Sequence, residues 1–159
     1  MLNSAKVNIQ LFFSSPVFLA CVFSWLSAQF IKTAINVLVG KVHSLKELID
    51  LMFWRTGGMP SSHSAVVAAI ATSIGFRSGI NSDVFILALG FFFVTIRDAV
   101  GVRRSSGMQA KKLNELGTRL DEHGLVEFKK IKEVQGHTPM EVLVGCILGF
   151  FTGLAFATL

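Results

Sequence analysis

Two histidines stand at the mouths of apolar segments. His63 lies in Gly57-Gly-Met-Pro-Ser-Ser-His-Ser-Ala65, and His137 lies in Gly136-His-Thr-Pro-Met-Glu141. Imidazole gives or takes a proton near neutral pH and can also act as a nucleophile. Cations surround both in sequence: Lys32 closes the first apolar run, Arg55 precedes His63, and Arg97, Arg103 and Arg104 follow the third run. Guanidinium forks match phosphate oxygens. Pro60-Ser61-Ser62-His63 reads as a helix start, where serine caps, proline fits the first turn, and free N–H groups attract anions. The chemistry implied is phosphate binding with proton transfer by histidine. The plainer alternative is ordinary helix capping beside an exposed His63.

The carboxylates carry competing roles. His137 and Glu141 are four apart, so on one helix they share a face and Glu141 orients the imidazole. Thr138-Pro-Met-Glu141 equally fits a capping box with Thr138 at the N-cap, which makes Glu141 structural. Asp98 is placed to orient an arginine or a histidine, or to pair with Arg97. Arg103 is the phosphate candidate of its cluster, while Arg104, Lys111 and Lys112 suit anionic lipid heads. Gln109 and Asn114 carry no role that the sequence supplies. His63, Asp98, His137 and Glu141 together offer donors for a divalent metal, but none has a recognised metal-ligand spacing.

These residues need a scaffold, and composition points to a membrane. The chain of 159 residues is 52% hydrophobic and only 16% charged, against about 25% charged in soluble domains. Val7 to Ile31 is uncharged, longer than the roughly 20 residues a span requires. It has only Lys6 as a basic start and exceeds a signal peptide's apolar core, so it reads as an uncleaved span, kinked at Pro16. Val142 to Leu159 is a second span, with Gly145, Gly149 and Gly153 forming a small-residue stripe for close internal packing. Ser64 to Phe76 and Val84 to Ile96 are shorter. They form either two thin spans or a buried helical hairpin. Ser44-Leu-Lys-Glu47 opens a short amphipathic helix, and Arg103 to Leu120 forms a longer one. Cys21 and Cys146 lie in apolar runs and read as small buried hydrophobes. The expectation is a single domain, 1–159: an all-α polytopic membrane bundle of about four apolar helices plus interfacial helices.

A hairpin returns the chain to the side it left, so residues 32–63 and 97–137 share one face. Of the 15 basic residues, all except Lys6 and Arg77 fall there. The positive-inside rule makes that face cytoplasmic and puts both termini opposite. The net charge of +5 then suits anionic lipid rather than nucleic acid.

Gly57-Gly-Met-Pro-Ser-Ser-His-Ser-Ala65, Asp98-Ala-Val-Gly-Val-Arg103 with Gln109-Ala and Leu113-Asn114, and Gly136-His-Thr-Pro with Glu141-Val closely resemble the divergent branch of the type-2 phosphatidic acid phosphatase superfamily, which is related to acid phosphatases and vanadium haloperoxidases. The resemblance runs from about Ala28-Gln29 to Gly149. It implies a metal-free and cofactor-free phosphohistidine mechanism. Position by position it makes His137 the nucleophile, Glu141 its orienting acid and His63 the general acid. Ser61 and the amide of Ser62 hold phosphate, with Arg103 and Lys32 as the cations. Four departures stand out. Ser62 replaces the usual glycine, and Glu141 replaces aspartate. Arg55 is not followed by proline and lies far from Lys32. The gap from Arg103 to His137 is long.

The function expected is a multi-pass membrane phosphatase acting on a phosphate monoester or diphosphate, of a lipid, with its active face cytoplasmic (at the inner membrane in a bacterial cell). The partners expected are the lipid phosphate and the bilayer, and a homodimer suits so small a bundle. The alternative is a non-catalytic membrane protein that binds anionic lipid headgroups.

Overall fold

A computed structural model of the chain describes residues 9–40, 42, 44–53, 58–133 and 136–159. Helix α1 spans Pro16–Leu38, α2 Leu45–Phe53, α3 Ser62–Ser78, α4 Asp83–Arg97, α5 Arg103–Glu122 and α6 Pro139–Thr158. A π-helical segment, Asp98–Val102, joins α4 to α5, so that Asp83–Glu122 is one continuous helical run. The chain is an all-α membrane bundle. Among the described residues α1, the α4–α5 run and α6 are long and apolar enough to cross a membrane.

Two expectations about the first span need correction. Pro16 does not kink a continuous helix. It starts one, at the first turn after the N-cap Ser15, because proline lacks only an N–H that has no helical partner there. The helix also does not stop at Lys32 but continues to Leu38. Lys32 is therefore an interior residue of α1 and only 2% exposed.

The bundle is small inside and large outside. Its buried positions are mostly small residues, among them Ala20, Ala28, Ala65, Ala68, Ala69, Ala71 and Ala88, with Ser24, Ser61, Ser64 and Ser73. Its exposed positions include Phe23, Phe30, Leu87, Phe93, Val94 and Phe151. Water would not tolerate that much exposed apolar surface. In a bilayer the hydrophobic drive between helices vanishes, so close backbone approach and van der Waals contact decide the packing.

The glycine stripe provides the closest approach. A Cβ at Gly145 would stand 2.5 Å from the Ser61 carbonyl oxygen, one at Gly149 2.0 Å from that of Ala65, and one at Gly153 2.6 Å from that of Ala69. Stripe 145/149/153 of α6 thus lies on backbone 61/65/69 of α3, and the stripe serves internal packing. The short hairpin resolves into two unlike helices. α3 is the central helix, packed on α1, α4 and α6. α4 is largely exposed, with Ala88 its buried residue. Gly79, at φ 84°, ends α3, and Ser82 caps α4 by accepting the Phe85 N–H at 3.2 Å.

α5 leaves the bundle. Gly124, at φ 68°, terminates it, with Leu125 N–H bonded to the Leu120 carbonyl at 3.0 Å, a left-handed glycine stop. Residues 125–133 then return along α5 without helix. The α5 excursion of 20 residues is about 30 Å long, and a returning extended segment of comparable reach brings the chain back.

Candidate active site

The C-terminal part of α1, the N-terminus of α3, the π segment and the N-terminus of α6 meet at one end of the bundle. Ser61 starts this site. Its backbone N–H donates to the Glu141 carbonyl at 3.0 Å, which joins the two histidine motifs through the main chain. The Ser61 hydroxyl caps α3 by accepting the Ser64 N–H at 3.4 Å, and it accepts the Ser64 hydroxyl at 2.9 Å. It is completely buried. The Ser61 hydroxyl, expected at the phosphate, thus also serves as the cap of α3. Ser62 is the first residue of α3, where backbone N–H groups lack helical acceptors.

His63, one residue further on, is exposed. It lies within electrostatic reach of Arg103, His137, Lys32 and Asp98. The two imidazoles, 74 positions apart in sequence, therefore share one neighbourhood. The capping reading and the clustering of His63 with cations are both realised.

Glu141 carries both of its competing roles at once. Its Oε2 accepts the Thr138 N–H at 2.9 Å, and its own N–H donates to Thr138 Oγ1 at 3.4 Å, closing a full capping box. The same Oε2 lies 3.3 Å from His137 Nδ1. With Nδ1–H turned to the carboxylate, Nε2 carries the free lone pair. His137 is 7% exposed. Burial holds its imidazole below the ordinary pKa, while the hydrogen bond and charge of Glu141 pull it part of the way back.

Arg103 and Asp98 form an ion pair, Nε to Oδ2 at 2.5 Å. They are five apart, and the π segment between them provides the geometry. A π turn closes at i+5 and stacks those two positions. Asp98 thus orients an arginine, and that arginine is Arg103. Both side chains keep substantial exposure, 49% and 38%, so the pair can open toward an anion.

Lys32 enters from α1. Its Nζ donates to Gln29 Oε1 at 3.0 Å, and Glu141 is within its electrostatic reach. Gly58, at φ 89°, lies over its alkyl chain, where a Cβ would stand 3.7 Å from Cγ. Arg55 lies outside the described residues. Arg97 is exposed at the end of α4.

Several residues that position the site escape a motif reading. Asn114 is buried and pairs with the return segment. Its Nδ2 donates to the Ile131 carbonyl and to Glu133 Oε1, and its Oδ1 accepts the Ile131 N–H, each at 2.9 Å. Three residues on, bare Gly117 accommodates the Phe128 ring, which would be 2.4 Å from a Cβ. Gly136 lies directly on the Arg104 backbone, 2.3 Å from a Cβ placed there. The long gap between Arg103 and His137 is therefore a closed excursion. Asn114 and Gly117 fold the chain back along α5, and Gly136 brings it down beside Arg103. The signal was present in sequence as Leu113-Asn114 and as the glycine before His137, but its partners are backbone atoms far along the chain.

The arrangement can do specific chemistry. It offers a buried imidazole hydrogen-bonded to a carboxylate, with a second imidazole and two cations within electrostatic reach, beside a helix N-terminus. Among the described residues, no three His, Cys, Asp or Glu side chains are grouped as a metal centre requires. The metal-hydrolase alternative thus lacks its ligand cluster among those residues.

The profile of the Divergent PAP2 family matches residues 13–152. The chain is 36% identical over 141 residues to the uncharacterized membrane protein YuiD of Bacillus subtilis strain 168, covering 82% of this chain and 86% of that protein. No solved structure matches the chain.

Proposed function

The chain belongs to the Divergent PAP2 family, and from that premise we propose that it is a metal-independent membrane phosphatase acting on the phosphate monoester or diphosphate of a lipid. The observation that carries the reading is His137 turned onto Glu141 at 3.3 Å while His63, Arg103 and Lys32 gather within electrostatic reach.

In the reaction, His137 Nε2 attacks phosphorus and the bond to the leaving oxygen breaks. His63 protonates that oxygen. The phosphoryl group rests on His137, and Glu141 stabilises the ring as it gains positive charge. Arg103, Lys32 and the free N–H groups at the start of α3 hold the phosphoryl oxygens where charge develops. Water then attacks phosphorus and gives its proton to His63, the His137–phosphorus bond breaks, and inorganic phosphate leaves. Splitting one displacement into two lowers each barrier. The cationic end faces the cytoplasm by the positive-inside rule, so the headgroup comes from that leaflet.

The test is phosphate release from a panel of lipid phosphates by wild type, His63→Ala, His137→Ala and Lys32→Met, in excess chelator. Release by wild type that survives chelation, is inhibited by vanadate and falls about 10²-fold or more in either histidine variant supports the reading. Equal release by wild type and His137→Ala would overturn it. Retention of anionic lipid without any release would leave the binding alternative.

A further inference from the structure

A cavity of about 630 Å³ lies between α3, α4 and α6, lined by Ala68, Phe76, Phe85, Leu89, Phe92 and Cys146 among others. None of the site's polar groups lines it. Its position relative to them is nonetheless regular. Ala68, Phe92 and Cys146 stand five, six and five residues along their own helices from His63, Asp98 and Glu141. At 1.5 Å per residue, all three walls begin about 7.5–9 Å below the phosphate site. The groove then runs from Ala68 to Ile80 along α3 and the turn after it, about 15–18 Å in length. Near its far end the Phe85 ring rests on Gly75, where a Cβ would meet Cε2 at 2.9 Å.

We propose that this groove holds one hydrocarbon chain of the substrate whose phosphate sits at His63 and His137. The proposal rests on the phosphatase reading and deepens it by assigning the tail of the substrate. Three facts select this occupant. The walls are apolar over their length, as a ligand pocket for hydrocarbon requires. The histidines gather with Lys32 and Arg103 at one end, while the far end carries the single Arg77 with the acidic Asp83 at the start of α4, so the cluster sets the direction of an anionic head and an apolar tail. The offset of about 7.5–9 Å separates head from tail by a short linker, as in a phosphorylated alcohol or glycerolipid. A neutral lipid would satisfy the groove but bring no anion to His63, Arg103 and Lys32, so head and tail together decide occupancy.

Cys146 reports the groove without belonging to the catalytic machinery. In Cys21→Ser protein, in a bulky steroid-type detergent, the rate of Cys146 alkylation is measured with hexadecyl phosphate, hexadecanol or butyl phosphate. At about ten times its dissociation constant, hexadecyl phosphate is expected to slow alkylation about tenfold. Hexadecanol and butyl phosphate at the same concentration leave it nearly unchanged. Absence of protection by hexadecyl phosphate, or equal protection by hexadecanol, overturns the proposal. Leu89→Trp, which fills the groove from α4, is expected to abolish protection of Cys146 by hexadecyl phosphate. Leu87→Trp, on the exposed side of α4 at 74% exposure, keeps that protection. The same failure in both variants also counts against the groove. Protection needs no turnover. If it occurs in a protein that releases no phosphate, the groove stands and the phosphatase reading falls. If phosphate is released without protection, the groove alone is removed.

Discussion

The backbone N–H of Ser61 donates to the carbonyl of Glu141 at 3.0 Å. This bond ties the first turn of α6 to the residue that caps α3. It fixes His63 relative to His137 through two rigid helix starts rather than through a loop. One turn below it, Gly145 lets α6 touch the Ser61 carbonyl. The distance between the two histidines is thus set by main-chain contacts that no side-chain motif records.

Glu141 has two duties that different substitutions separate. Glu141→Gln keeps an oxygen for the Thr138 N–H but removes the charge behind His137. Glu141→Ala removes both. The expected outcome is a stability loss of at most about 1 kcal/mol for the glutamine variant and about 0.5–2 kcal/mol for the alanine variant, as for other cap deletions. Phosphate release falls about 10²-fold or more in both. Denaturation and initial rates measured on the same preparations check this, and full activity in Glu141→Gln would show that capping is its only task.

Asn114 acts at a distance from the chemistry. Asn114→Ala removes three hydrogen bonds at 2.9 Å, each worth about 0.5–1.5 kcal/mol net. Residues 125–133 lose their anchor on α5, and His137 loses part of its placement. The expected result is faster proteolysis within 125–133, lower kcat, and an unchanged melting transition for the membrane helices. Cleavage patterns and turnover identical to wild type would count against the clamp.

Gly149 has the tightest contact of its stripe. A Cβ there would stand 2.0 Å from the Ala65 carbonyl oxygen and 2.8 Å from Ala68 Cβ, and neither neighbour can swing away as a long side chain would. Gly149→Val must push α3 from α6, an overpacking cost of about 1–3 kcal/mol or more. Activity is expected to fall with stability. Gly90→Val, where a Cβ meets nothing within 4 Å, is the matched control. Equal stability of the two variants would contradict the packing.

The pH dependence follows from His137. Burial lowers its folded pKa and Glu141 only partly offsets this, so the folded value lies below the unfolded value of about 6.5. Between those values the unfolded chain binds the extra proton, so stability falls as pH drops through that window. The neutral nucleophile persists to the lower, folded value. The acid limb of kcat/KM is therefore expected below pH about 6.5, and Glu141→Gln moves it lower, because the group that raises the pKa is gone. Rate profiles of both proteins measure this. A limb that moves upward in Glu141→Gln would refute the assignment.

Much of the fold was legible because hydropathy and small-residue spacing are local signals. The Gly145/Gly149/Gly153 stripe announced close packing, and Thr138-Pro-Met-Glu141 announced a cap. Sequence could not show that the cap and the imidazole share one carboxylate oxygen, since a helix start and an i+4 pair look like rivals until the N-cap geometry is seen. Lys32 was misplaced at a helix end because a charge ordinarily marks the end of an apolar run. Here Gln29 and the bundle interior receive it instead. The Asp98–Arg103 pair depends on a π turn, which a 3.6-residue periodicity cannot represent. The long Arg103–His137 gap was seen as a departure, but its closure by Asn114, Gly117 and Gly136 rests on contacts with backbone and with distant side chains.

The most direct measurement of the central claim is capture of the covalent intermediate. Purified protein is mixed with a lipid phosphate labelled in its terminal phosphoryl group, quenched in base, and digested. The expected result is a base-stable, acid-labile label on the peptide carrying His137 in wild type and none in His137→Ala. Steady phosphate release by wild type with no trapped label, and undiminished release by His137→Ala, would contradict it.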